Sequence, residues 1–133
     1  MNQVLVDTNA YSALMLNNSD VQEILNFSRV FIPLIAIGEL RGGFKYGSKE
    51  QENEGYLQTF LKKSTVLIPD LETTLEYASI YAKLRANGGA VPQNDIWIAA
   101  LCFQYQLPIV TFDKHFQMID GLRVITKLSD LLE

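Results

Sequence analysis

The sequence predicts an α/β fold in which a central, mostly parallel sheet is covered by helices, and three observations predict it. Short apolar runs recur along the chain, each is followed by a stretch of helical spacing, and the connections are only a few residues long. Parallel strands need long crossovers, and the intervening helices supply them. With 133 residues, 48% of them hydrophobic, the chain is long enough for one domain with a real core and too short for two ordinary ones, so residues 1–133 read as a single domain.

Val4 to Val6 is a short apolar run ending at Asp7, and TNAYSALML behind it has helical spacing, which reads as strand, turn, helix. A second helix is expected over Asp20 to Phe27, then a short strand, RVFI. Pro33 suits the first turn of the next helix, LIAIGELRGGF, which carries Glu39. Its glycines, Gly42 and Gly43, read as close-packing positions. Gly47 ends that segment, and Ser48 with Gln51 has capping-box spacing for a polar helix running towards Lys63. The strand TVLIP follows. From Asp70, the series Leu71, Leu75, Ala78, Tyr81, Ala82, Arg85 describes an amphipathic helix that stops at Asn87, Gly88 and Gly89. Pro92 and Asn94 open DIWIAALCFQYQ, which is apolar on most sides and therefore central. LPIVTF is a buried strand ending at Asp113, and a short strand around Val124 and a helix from Ser129 complete the chain.

Composition narrows the function. MNQVLVDTN has no basic leader and its apolar run is interrupted by Asp7, so neither a signal peptide nor a membrane span is expected and the cytoplasm is the default compartment. Cys102 is the only cysteine and lies in the apolar run IWIAALCFQ, which rules out an internal disulfide and argues against a thiolate metal site. The net charge of -4 speaks against a nucleic-acid partner at first sight. A site built from carboxylates carries such charge itself, and bound divalent cations offset it locally.

Four acids stand in positions that ask for an explanation. Asp7 and Asp113 are each the first carboxylate after an apolar strand, VLVD and IVTFD, and open parallel sheets place their sites at the carboxyl ends of the strands. Glu39 has Ile35, Ala36, Gly42 and Gly43 as its helical neighbours, and Asp95 has Ile98 and Ala99, so neither finds a local charge partner. Burying such a carboxylate without compensation costs several kcal/mol or more. Each acid alone also suits a structural role: Asp7 as an N-cap, Asp95 against the helix dipole, Glu39 paired across the fold, Asp113 as a turn residue. Together they suggest a site of hard oxygen donors for Mg²⁺ or Mn²⁺ rather than zinc.

VDTNAYSAL, IAIGELRGGF, NDIWIAA and TFDKHF, in this order and spacing, resemble the PIN-domain ribonucleases, and especially the VapC toxins of bacterial type II toxin-antitoxin pairs. The resemblance covers the chain from Val4 to its last helix. It implies a three-layer α/β/α architecture and a metal-dependent endoribonuclease in which Asp7, Glu39, Asp95 and Asp113 match the acidic positions. It implies supporting roles for Asn9 and Thr111, hydrogen bonding to metal-bound water or to neighbouring carboxylates. A homodimer inhibited by a cognate antitoxin protein is implied as well. One departure is that some members carry a further acid just after the last one, where Lys114 and His115 stand here.

For an RNA substrate, phosphate contacts position the chain, and Arg41, Lys45, Lys49 and Lys114 are the candidates to make them. Core packing is the expected use of Tyr77, Tyr81, Trp97, Phe103 and Tyr105, and His115 is expected to stand outside the chemistry. The competing reading is a catalytically silent module of the same fold that binds RNA or an antitoxin protein.

Overall fold

Strand β1 (Asn2–Val6) shows how the sequence builds layers. Side chains alternate across a strand, so Leu5 enters one hydrophobic cluster while Val4 and Val6 enter another, and none of the three is exposed. A strand buried on both faces is the mark of a parallel sheet sandwiched between helices. In the computed structural model, which describes residues 1–132, β1 is accompanied by β2 (Ser28–Pro33), β3 (Ser64–Leu67), β4 (Ile109–Val110) and β5 (Val124–Ile125). All pairings are parallel, in the order β3-β2-β1-β4-β5.

One face is covered by α1 (Thr8–Met15), α2 (Ser19–Asn26), α3 (Leu34–Tyr46) and α4 (Glu50–Lys62), whose Tyr11, Ile24, Leu40 and Leu57 pack with Val4 and Val6. The other is covered by α5 (Leu71–Ala86) and α6 (Gln93–Tyr105), whose Ile80, Leu84, Ile98 and Leu101 pack with Leu5. A short α7 (Leu128–Leu131) closes the described chain. This is the expected three-layer α/β/α arrangement. The strand order also fixes a place: the chain leaves β1 towards β2 on one side and returns as β4 on the other. Connections therefore diverge above the carboxyl ends of β1 and β4 and leave a crevice there.

Four local expectations are corrected. LPIVTF forms a strand only at Ile109 and Val110, because β1 pairs with it through Leu5 and Val6 and then ends. Asp113 stands beyond that strand and caps an unanticipated 3₁₀ helix, Lys114–Met118. The Ser48 capping box does not form; α4 starts after Lys49 without a side-chain cap and places Glu50 and Glu52 in its first turn, where the helix dipole favours them. Gly42 and Gly43 are exposed with open space beside them, because α3 turns Ala36, Ile37 and Leu40 inward instead.

The fourth concerns α5. Its termini match, with an Asp70–Thr73 capping box at one end and Gly88 at φ +69° after the other. Its apolar stripe does not face the core: Leu71 is 86% and Leu75 66% exposed, and Ala78 and Ala82 are exposed beside them. The residues that α5 buries are Thr73, Ile80 and Leu84. Among the aromatics, Tyr77 and Trp97 are half-buried against each other with ring centroids 4.3 Å apart, whereas Tyr81 and Tyr105 are exposed.

Candidate active site

Asp7 leaves β1 directly into the crevice and is 3% exposed. Its Oδ1 accepts the Ala10 N–H at 2.8 Å and so caps α1, while Oδ2 accepts the Thr111 hydroxyl at 2.7 Å. Thr111 Oγ1 in turn accepts the Asp113 N–H at 3.0 Å. One buried hydroxyl thus locks the acids that follow β1 and β4 to each other. Asn9 closes the same seam, its Oδ1 accepting the Phe112 N–H at 2.8 Å.

Two helices bring the remaining acids. Asp95 projects from the first turn of α6, where no side chain of its own helix pairs with it. Glu39 reaches across from α3 and is held at both oxygens, by Thr8 Oγ1 at 2.9 Å and Asn94 Nδ2 at 3.3 Å. Asp113 Oδ1 accepts the His115 N–H at 3.0 Å, and the turn this makes carries the imidazole back over the site. There His115 Nδ1 lies 3.1 Å from Asp113 Oδ1 and 3.4 Å from Asp95 Oδ2. Asp7, Glu39, Asp95 and Asp113 line one cleft of about 220 Å³ together with Thr8, Asn9 and Ile98.

The electrostatics are those of a site short of positive charge. Burial pushes the Asp7 carboxyl up to about 6, in spite of its bonds from Ala10 and Thr111, and the Asp113 and Asp95 charges add to the rise. Asp95 is raised by burial first and by Asp113 second, with His115 opposing. Among the described residues no Lys or Arg pairs with any of the four acids. Clustered carboxylates with hard oxygen donors, facing an open cleft and lacking a cationic side chain, fit a divalent cation.

The model of the PIN domain family matches residues 4–122, which takes in all four acids. The chain belongs to the PIN domain family. Ribonuclease VapC of Rickettsia bellii is 29% identical to it over 128 residues, covering 92% of this chain and 95% of that one. Among solved structures, a chain of DNA-bound VapBC from Salmonella typhimurium superposes with a TM-score of 0.83 at 26% identity, over 94% of this chain and 98% of that one. FitAcB from Neisseria gonorrhoeae gives 0.76 at 25% identity, over 92% and 96%. The likeness covers nearly the whole PIN domain rather than a fragment of it.

Within this PIN domain the acids singled out from sequence converge, but not all for the reasons anticipated. Glu39 is exposed rather than buried, so its lack of helical partners reflects a position at the cleft mouth. The structural roles of Asp7 and Asp113 as caps are also real, and coexist with their place in the cleft. Thr111 does bond neighbouring acids, whereas Asn9 bonds backbone. Arg41 and Lys45 are engaged elsewhere, Arg41 forked onto Glu54 and Lys45 2.6 Å from Glu50, while Lys49 and Lys114 are exposed. Sequence reasoning missed Thr8 and Asn94, although each directly adjoins a candidate acid in the chain, and did not anticipate that the His115 imidazole stands beside Asp95 as well as Asp113.

Proposed function

We propose that this PIN domain, acting as one unit over residues 1–133, is a divalent-metal-dependent endoribonuclease and the toxin of a toxin-antitoxin pair. The observation that carries the reading is the convergence of Asp7, Glu39, Asp95 and Asp113 on one cleft with the Asp7 carboxyl raised to about 6, in a chain similar to proteins named ribonuclease VapC. Those four side chains would hold Mg²⁺ or Mn²⁺. When bound, such an ion neutralises charge on the scissile phosphate and lowers the pKa of a water. Thr111 keeps Asp7 and Asp113 at fixed separation, Thr8 and Asn94 orient Glu39, and Asn9 pins the loop after β4, so the acids need little rearrangement on loading. Of the four candidate cations, Lys49 and Lys114 are exposed and available to RNA phosphates without breaking an ion pair, and Arg41 and Lys45 become available when Glu54 and Glu50 release them.

The exposed stripe Leu71, Leu75, Ala78, Ala82 is on α5, which follows edge strand β3 in the chain, and β3 itself leaves Val66 open to solvent and is followed by exposed Ile68. An apolar helix face of this kind usually finds a partner, and here a second copy of the chain would cover it in a homodimer. An antitoxin protein is the second partner, as in the VapBC complexes that the fold resembles. No helix among the described residues is long and apolar enough to cross a membrane. A place in the cytoplasm is proposed on a separate ground, that the RNA the chain would cut is there.

The test is cleavage of RNA by the purified chain. Activity is expected with Mg²⁺ or Mn²⁺ and none with EDTA, and Asp7→Ala and Asp95→Ala are expected to be inactive while still folded. Full activity in EDTA, or in both variants, overturns the reading.

A further inference from the structure

We propose that His115 is a nitrogen ligand of the divalent ion, completing the site on its Asp95–Asp113 side and favouring Mn²⁺ over Mg²⁺. The proposal rests on the metal-dependent reading above and goes beyond its four carboxylates. Asp95, Asp113 and His115 each offer a ligand atom, and all three atoms lie within 4.8 Å of one another. Around an octahedral ion with bonds of about 2.1 Å, adjacent donors stand about 3 Å apart and opposite ones about 4.2 Å apart. The observed separations of 3.1 Å and 3.4 Å from Nδ1 to the two carboxylate oxygens match that adjacent-donor spacing, and in the absence of an ion the same distances serve a His–carboxylate contact.

The imidazole is placed there by the backbone rather than by chance of rotamer alone. Its own N–H is bonded to Asp113 Oδ1, and the next residue, Phe116, is fully buried and anchors the 3₁₀ turn in the core. With the proton on Nε2, Nδ1 presents a lone pair towards the two acids. An imidazole in that place supplies a softer donor, which Mg²⁺ accepts less readily than a transition ion does.

His115 is the only histidine in the chain, so labelling histidine alone reports on one side chain. The experiment loads the untagged full-length protein with one equivalent of Mn²⁺ and records electron spin-echo envelope modulation, with natural-abundance and ¹⁵N-histidine samples. A nitrogen modulation that changes on histidine labelling is expected, and its loss in His115→Gln. Removing a group that merely orients a metal ligand typically costs about 10–100-fold in metal affinity, so loss of a direct ligand is expected to weaken Mn²⁺ binding by at least about tenfold in calorimetric titration. Mg²⁺ binding is expected to change far less. His115→Asp, which returns an oxygen donor, is expected to regain Mn²⁺ affinity without the nitrogen signal. If it is as weak as His115→Gln, the imidazole is only a prop for the turn and the assignment is overturned. Mn²⁺ that binds wild type, is lost in Asp7→Ala, and shows no histidine coupling overturns the ligand while leaving the metal reading intact. No binding of either ion to wild type overturns both.

Discussion

The α3–α4 hairpin and the cleft above β1 and β4 treat charge in opposite ways. Where α3 faces α4, cations meet anions: Arg41 forks onto Glu54 at 3.1 Å and 2.8 Å, and Lys45 meets Glu50 at 2.6 Å, all at the solvent surface. In the cleft, four carboxylates face one another with a single imidazole for company. The contrast runs through one helix, since α3 sends Glu39 to the cleft and Arg41 to the hairpin. Exposed pairs contribute little and cost little. Like charges gathered in a half-buried cleft cost stability, and they persist where something from outside compensates them. The difference therefore locates function more sharply than a count of charges does.

Breaking the cleft should have the largest effect. Asp95→Asn keeps shape and removes one negative charge, and it is expected to lower the rate of RNA cleavage at saturating Mn²⁺ by about 100-fold or more, the scale on which single transition-state stabilisers act. Thr111→Val is expected to cost less in rate and more in stability, because it leaves the buried Asp7 Oδ2 and the Asp113 N–H without their shared partner; removal of one such partner costs about 1–3 kcal/mol. Urea denaturation read beside initial rates separates the two variants, and a Thr111→Val chain as stable as wild type would mean that the hydroxyl does not hold the seam.

The next effect is on stability and has a definite sign. The folded chain holds the Asp7 proton more tightly than the unfolded chain, since the carboxyl rises from 3.8 to about 6. This group's contribution to stability is therefore fully present below about pH 4, falls as pH rises through 6, and stays lost above it. The full shift corresponds to at most about 3 kcal/mol. Asp7→Asn retains a cap acceptor and removes the charge, so in EDTA it is expected to stabilise the protein by about 1–3 kcal/mol at pH 8 and by much less at pH 4.5. Millimolar Mn²⁺ should raise the wild-type midpoint and leave that of Asp7→Asn nearly unmoved. An equal gain at both pH values would show that the ionised carboxylate is not under strain.

Much of this was open to sequence reasoning because an apolar run that ends in an acid marks the edge of a sheet: VLVD and IVTFD led to the crevice. The rest was not open, for identifiable reasons. Periodicity defines a stripe on α5 but not what it faces, and the core took Thr73, Ile80 and Leu84 instead, with Thr73 satisfied by a 2.6 Å bond to Gln104 on α6. Glu39 lacked partners three and four residues away, yet Thr8 and Asn94 come from other elements. His115 was set outside the chemistry because nothing local shows that a 3₁₀ turn folds it back towards Asp95. Arg41 and Lys45 do share a helix face, but their acids lie on the next helix.

The same uncovered stripe gives a prediction of intermediate size. Leu71→Asp with Leu75→Asp is expected to turn the dimer of the proposed assembly into a monomer by light scattering, with little change in the monomer's far-ultraviolet dichroism, because both side chains already stand in solvent. Wild-type chain that is monomeric at the same concentration would remove α5 from the assembly.

Disturbing the hairpin should have the smallest effect, and its signs can still be told apart. Glu54 is held low chiefly by the bond from Arg41, and the pair lies at the surface, so neither Arg41→Ala nor Glu54→Gln is expected to move the thermal midpoint beyond the scatter of repeat melts at about 0.15 M salt. RNA binding is a finer probe. On an Asp95→Asn background, where RNA is not consumed, Glu54→Gln frees the Arg41 guanidinium without moving it to another helix. If RNA runs along α3, each additional phosphate neutralised by the protein steepens the dependence of log affinity on log salt by about 0.7–0.9. Glu54→Gln is then expected to steepen that slope and Arg41→Ala to leave it as in the parent, because Arg41 in the parent is already neutralised by its partner. Equal slopes in all three proteins would keep RNA off the Arg41–Glu54 face of the hairpin and leave Lys49, in the turn between α3 and α4, and Lys114, beside the cleft, to carry the phosphate contacts.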